Sequence, residues 1–233
     1  MIYSRRQLLG AGAAAGVLAS TAQAQSLAQI VAGLGKDNKA APAPAAAAVH
    51  ASVPAQPRIL VDGAIDPQLL ARARAAFDAN RRRLRHTDVV GITDFAKGSA
   101  EKRFYLLDTA TGRVSSHFVS HGRGSDPAHC GRLERFSNEY GSNATSAGAY
   151  VTGDYYHGKY GRSMKLKGLE RRNNNAEGRA IVVHSAWYAE PEVISETGKL
   201  GRSEGCFAMS QRSLREVLAR LGPGRLLYAD KLA

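Results

Sequence analysis

Between Asp88 and Tyr228 the chain is written as short β-branched and aromatic runs separated by turn residues, and this rhythm restricts the fold more than any other feature. Asp88 to Phe95 is one such run. Arg103 to Asp108, the turn Thr109-Ala110-Thr111-Gly112, and Arg113 to Ser120 form a hairpin pattern. Ala149 to Tyr155, a turn around His157-Gly158, and Ser163 to Leu169 form another. Arg179 to His184 reads as a short buried strand, and Arg225 to Tyr228 as the last one. Helical spacing is confined to a few places. Asp66-Pro67 caps and starts a helix running to about Leu84, through Leu69, Leu70, Ala73, Ala76 and Phe77. Pro191 to Thr197 gives one or two turns before Gly198, and Ser210 caps an amphipathic helix to Leu221 that Gly222-Pro223 ends. The expectation is a mainly β domain with peripheral helices.

The N-terminal quarter carries no such pattern. Ser4-Arg5-Arg6-Gln7-Leu8-Leu9 opens a small-residue apolar stretch, and Ala22-Gln23-Ala24 offers a cleavage site, so residues 1–24 read as an export signal. The arginine pair before the apolar residues resembles a twin-arginine signal. The stretch is shorter than the ~20 residues a spanning helix needs, and no transmembrane segment is expected in the mature form. Residues 25–57, with Ala40-Ala41-Pro42-Ala43-Pro44 and the alanines after it, read as an Ala/Pro-rich linker. The catalytic candidate domain is then 58–233, roughly 175 residues, a size that buries a core without staples. The expected location is the periplasm or cell envelope.

The formal net charge is +12. In an exported protein this suits an anionic envelope surface. The arginines are dispersed, and the one dense run, Arg81-Arg82-Arg83-Leu84-Arg85, falls at a helix C-terminus where cations suit the dipole. Without a basic stripe interleaved with aromatics, nucleic acid is not an expected partner. Gly122 to Ala147 is rich in Gly, Ser and Asn, and a loop of this length reads as a flap over a cleft.

Chemistry concentrates at two places. Gly201-Arg202-Ser203-Glu204-Gly205-Cys206-Phe207-Ala208 holds a cysteine in a glycine-bearing turn, and Ile181-Val182-Val183-His184-Ser185 ends an apolar run on a histidine. An imidazole beside a thiol raises its thiolate fraction and can return the proton to a leaving amine. Cys206 and His184 are therefore the candidate nucleophile and base. Gly205 keeps the backbone beside the thiol open to a peptide. The amides of Gly205 and Cys206 are candidates for an oxyanion hole, Ser203 for bracing the turn, and Arg202 for a substrate carboxylate. Tyr155, Tyr156 and Tyr160 could wall the site. Cys130 is the only other cysteine, and oxidising compartments favour disulfides, so whether it pairs with Cys206 decides whether that thiol is free. His117, His121, His129 and Cys130 make a weak metal-like cluster; no metal or other cofactor is expected, and His121 instead lines the cleft or braces the loop.

The block His184-Ser185 followed by Ser203-Glu204-Gly205-Cys206 resembles the signature of the L,D-transpeptidases, the YkuD-like cysteine enzymes of bacterial cell-wall synthesis, in their murein L,D-transpeptidase branch. Glu101-Lys102-Arg103-Phe104-Tyr105, His121-Gly122-Arg123-Gly124, Arg135-Phe136-Ser137-Asn138 and Ser146-Ala147-Gly148-Ala149-Tyr150-Val151-Thr152-Gly153 extend the likeness over about residues 85–230. The resemblance implies a β-sandwich-like catalytic domain. It also implies Cys206 as nucleophile, His184 as base with a backbone carbonyl orienting it, and peptidoglycan stem peptides as partners joined by 3→3 cross-links. Ser185 and Tyr156 are further substrate-binding candidates. Glu204 and Phe207 depart from the commonest residues flanking the cysteine. Two alternatives stay open: the same Cys/His pair serving an L,D-carboxypeptidase or other hydrolase, and a non-catalytic wall-binding protein. The sequence specifies no oligomeric state.

Overall fold

The computed structural model describes residues 64–232. The expected export signal, the whole of the expected linker and residues 58–63 of the expected domain lie outside the described residues. The chain enters helix α1, Pro67–Asn80, whose cap is Asp66: its Oδ1 accepts the N–H groups of Gln68 (2.8 Å) and Leu69 (3.3 Å). A 3-10 turn over Arg81–Arg83 ends it.

Eight strands follow: β1 Val89–Asp94, β2 Phe104–Asp108, β3 Val114–His117, β4 Gly148–Gly158, β5 Gly161–Gly168, β6 Val182–Ser185, β7 Phe207–Met209 and β8 Leu226–Asp230. Helix α2, Pro191–Thr197, lies between β6 and β7, and helix α3, Gln211–Leu221, between β7 and β8. The strands make one sheet in the order β3-β2-β1-β8-β4-β5-β6-β7. The β1–β8 and β6–β7 pairs are parallel and the others antiparallel. The sheet curls. Beyond β3 the chain reaches the opposite edge, where Ser120 N–H donates to Ala208 O (2.7 Å) and Gly122 bridges Ser203. The sandwich-like expectation thus takes the form of a single sheet folded over its core.

Alternation along the strands divides that core. Phe104, Leu106, Tyr150, Met164, Leu166, Val183, Phe207, Met209 and Leu227 point into the curl. There they meet Leu214, Val217, Leu218 and Leu221 of α3, whose spacing puts them on one helix face. Val90, Ile92, Tyr105, Leu107, Leu226 and Tyr228 point the other way, onto Leu69 and Ala73 of α1. Each fully buried Leu, Val or Phe contributes about 1.5–3 kcal/mol relative to exposure.

Three differences from the sequence reading bear on the site. The β4–β5 turn falls at Lys159-Tyr160, two residues beyond the expected His157-Gly158, because β4 continues through them in register with Arg162 and Gly161. The segment 169–180 is a chain of turns, so β6 begins only at Val182. The three-residue β7 directly after Cys206 was not expected; it is too short to show periodicity. The 122–147 segment is irregular as expected, yet it is packed: Leu133, Ala144 and Thr145 are fully buried.

Candidate active site

The parallel pairing of β6 and β7 organises the site. Val183 lies opposite Phe207, and His184 opposite Ala208. Val183 and Phe207 both point into the core, so strand alternation turns Val182, His184, Cys206 and Ala208 to the other face. Cys206 sits one residue before Phe207, where the Val182 N–H is directed at its sulfur. One strand spacing and a two-residue offset put the Cα atoms of Cys206 and His184 about 8 Å apart, on one face.

His184 is 2% exposed. Its Nδ1 lies 2.8 Å from Ser185 O; a carbonyl only accepts, so Nδ1 carries the proton and Nε2 is left as the basic nitrogen. The ring stacks on Tyr160, centroids 4.4 Å apart and planes 27° apart. Burial holds the imidazole below its ordinary pKa, opposed by the bond to Ser185. Ser185 also reaches β5's hairpin turn through its Oγ, 3.4 Å from Tyr160 O.

The Cys206 thiol is half-buried and unbridged, and Cys130 is likewise free, on an exposed loop. Cys206 Sγ donates to Ala180 O at 3.5 Å. Burial pushes the thiol up, with Glu204 adding to the rise, while the Val182 N–H and the Arg179 charge pull it down. A resting pair of neutral thiol and neutral imidazole follows from these two opposite shifts.

The turn before Cys206 is built for this placement. Ser203 Oγ donates to Cys206 O (2.7 Å) and accepts from the Gly205 N–H (3.2 Å). Of the two amides expected to form an oxyanion hole, that of Gly205 is therefore engaged by Ser203. Gly205 has φ +116°, and a Cβ there would lie 2.7 Å from Ala144 O and 2.8 Å from Ile181 Cδ1; only glycine fits. Gly122 presses on the same turn, where a Cβ would meet Gly205 N at 2.7 Å.

The other expected residues divide. Tyr156 is half-buried on β4 opposite Ser163, close enough that the Cys206 charge raises its phenol pKa, burial being the larger cause. Arg202 was expected to meet a substrate carboxylate; its Nη1 instead donates to Asp126 O and to Pro127 O (3.1 Å), fastening the loop. His121 was expected to line the cleft or brace the loop, and it braces: it is 1% exposed, between Arg103 Nη2 (2.8 Å from Nδ1) and Asp126 Oδ2 (3.2 Å from Nε2). The histidines of the weak metal-like cluster go to separate partners. His117 faces Glu216, and His129 Nε2 faces Leu200 O.

Several contributors were not singled out from the sequence. Arg103 is fully buried, donates to Val119 O and Lys97 O, and lies over the Phe95 ring. With Asp126 it encloses His121 in a buried charged relay. Arg179 reads in sequence as an ordinary surface cation among asparagines. Tyr188 feels the charge of Cys206. Three large apolar side chains are exposed among the described residues: Tyr160, stacked on His184, Trp187, edge-on to Tyr188, and Tyr140, against Gly178.

No curated relative matches the chain by sequence. Solved structures to which the chain shows a partial likeness include L,D-transpeptidase 3 from Mycobacterium tuberculosis with a faropenem-derived adduct (14% identity, 61% of this chain and 60% of that one, TM-score 0.39). An L,D-transpeptidase from Xylanimonas cellulosilytica gives 18% identity, 71% of each chain and TM-score 0.38. The helical cell shape determining protein Pgp2 from Campylobacter jejuni gives 11%, 72% and 58%, and 0.41. The chain spans less than two thirds of the mycobacterial structure's length. Identification rests instead on the family profile. The profile of the L,D-transpeptidase catalytic domain matches residues 62–229, a span that takes in the curled sheet, the β6–β7 pair and the turn at Cys206, and the chain belongs to that family.

Proposed function

We propose that this chain is an exported cysteine acyltransferase that forms 3→3 cross-links between peptidoglycan stem peptides through a thioester on Cys206, with His184 as base. The β6–β7 register carries the reading: it sets a thiol and an imidazole with a free Nε2 on one face of adjacent strands. A module that only binds the wall has no need of that pair.

In this reading the thiol proton, directed at Ala180 O in the resting state, turns toward His184 Nε2 and is transferred. Sulfur then forms a bond to the donor peptide carbonyl carbon. The carbonyl oxygen gains negative charge, which the Cys206 N–H is suited to stabilise. The carbon–nitrogen bond breaks, and the imidazolium gives its proton to the departing amine. The amine of a second stem peptide loses a proton to His184 and bonds to the thioester carbon; the carbon–sulfur bond breaks, and the imidazolium returns its proton to the Cys206 sulfur. Tyr156, Tyr160 and Trp187 supply a rim along which a peptide can lie, and Ser185 holds the base in its tautomer. No described helix is long and apolar enough to cross a membrane. The proposal takes residues 1–24 as the twin-arginine-like export signal, 25–57 as a tether and 58–233 as the catalytic unit, acting in the periplasm or cell envelope.

Incubation of the purified protein with tetrapeptide-bearing muropeptides, followed by mass spectrometry, tests the acceptor. Dimers joined 3→3 are expected. Tripeptides without dimers would make water the acceptor and the enzyme a carboxypeptidase. Unchanged muropeptides would overturn the reading.

A further inference from the structure

Immediately before Ala180, whose carbonyl receives the Cys206 thiol, stands Arg179. Its guanidinium is half-buried and its two terminal nitrogens are fully employed. Nη1 donates to Ser137 O (2.9 Å) and Ser146 Oγ (2.7 Å), and Nη2 to Ser142 Oγ (3.1 Å) and Ala144 O (2.5 Å). All four acceptors belong to the irregular segment that lies on the nucleophile's turn. Ala144 O is also the atom a Cβ on Gly205 would strike. The same segment presses from the other side through Asn143 O, against Gly122.

Ala180 itself has φ +54°, a left-handed conformation that a residue with a Cβ rarely adopts. It is held by turns on both sides: Arg179 N–H to Asn175 O (2.8 Å), Ala180 N–H to Glu177 O (3.0 Å) and Ile181 N–H to Ala176 O (2.9 Å). That twist lets consecutive residues face different ways. The Arg179 side chain reaches the 137–146 segment while the Ala180 carbonyl reaches the thiol.

We propose that Arg179 is a positioning residue for Cys206, clamping the 137–146 segment onto the Gly205-Cys206 turn with a guanidinium bound to Ala144 O, the carbonyl that packs on Gly205. With both terminal nitrogens committed to protein oxygens, the guanidinium is not a substrate-binding fork. Its charge favours the thiolate, against burial and Glu204, which oppose it. A lysine would keep the charge but could not span four acceptors with a fixed planar fork. A glutamine would lose both.

This inference rests on Cys206 being the nucleophile. The test separates the two questions by reading thiol ionisation without turnover. In the full chain carrying C130S, the rate of Cys206 alkylation by iodoacetamide is measured against pH for the unsubstituted residue, R179K and R179Q, together with acylation by a carbapenem. R179Q is expected to move the alkylation profile to higher pH by about half a unit or more. R179K is expected to keep the profile in place and acylate about tenfold more slowly, as misplacement of reacting groups does. A residue that only stabilises the fold would lower the melting temperature and leave the R179Q profile on that of Arg179; that result overturns the inference. If R179Q does not fold, R179K decides, and unchanged acylation in R179K overturns it. If Cys206 with Arg179 intact alkylates but is never acylated, the proposed function fails while the ionisation test still stands.

Discussion

At the scale of single residues, Gly205 bears the strictest requirement. Its φ of +116° and the 2.7 Å approach to Ala144 O leave no room for a side chain. Gly205→Ala is expected to cost about 1–3 kcal/mol of stability and to abolish acylation of Cys206, read by thermal melting and intact-protein mass. Wild-type acylation in that variant would contradict the account. The glycine and cysteine were legible in the sequence because a tight turn beside a thiol has few residue solutions. The tautomer of His184 was not, since the orienting carbonyl of Ser185 belongs to backbone that carries no sequence signal. Arg202 shows what residue type alone leaves out: a guanidinium beside a candidate site reads as a carboxylate binder, and here its Nη1 donates to the Asp126 and Pro127 carbonyls.

At the scale of elements, strands and helices with clear periodicity were legible almost to the residue: α3 from its Ser210 cap to Leu221, β2 and β8 from their apolar runs. What escaped was set by tertiary pairing. β7 exists because β6 lies beside it, and the long loop packs because Arg103, His121 and Asp126 anchor it from within. That anchor has a pH signature. Burial, with Arg103 next, lowers the His121 pKa from 6.5 to about 4. The unfolded chain therefore binds the proton first, and stability falls as pH drops from 6.5 toward 4. The loss is at most on the order of 3 kcal/mol. Asp126, whose carboxyl is held below 3.8, adds its own loss only under that window. His121→Gln, which can still donate to Asp126 and accept from Arg103, is expected to flatten the melting temperature between pH 6.5 and 4. An equally steep profile in His121→Gln would place the acid sensitivity elsewhere.

At the scale of the whole molecule, a single curled sheet packs α3 against its inner face and α1 against its outer face, and the family profile spans residues 62–229 of the chain. A fragment of residues 58–233 is expected to melt in one cooperative transition at the temperature of the full chain's domain, measured by calorimetry. Two transitions, or none, would contradict the expected boundary. In the proposed function, the net charge of +12 and the export signal and tether proposed for residues 1–24 and 25–57 would bring the enzyme to an anionic wall. If Cys206 is the nucleophile, intact-protein and peptide mass spectrometry after incubation with a carbapenem will find one adduct per chain, mapped to Cys206 and absent from Cys206→Ala; an adduct that survives in Cys206→Ala, or none in the unsubstituted chain, rules that role out.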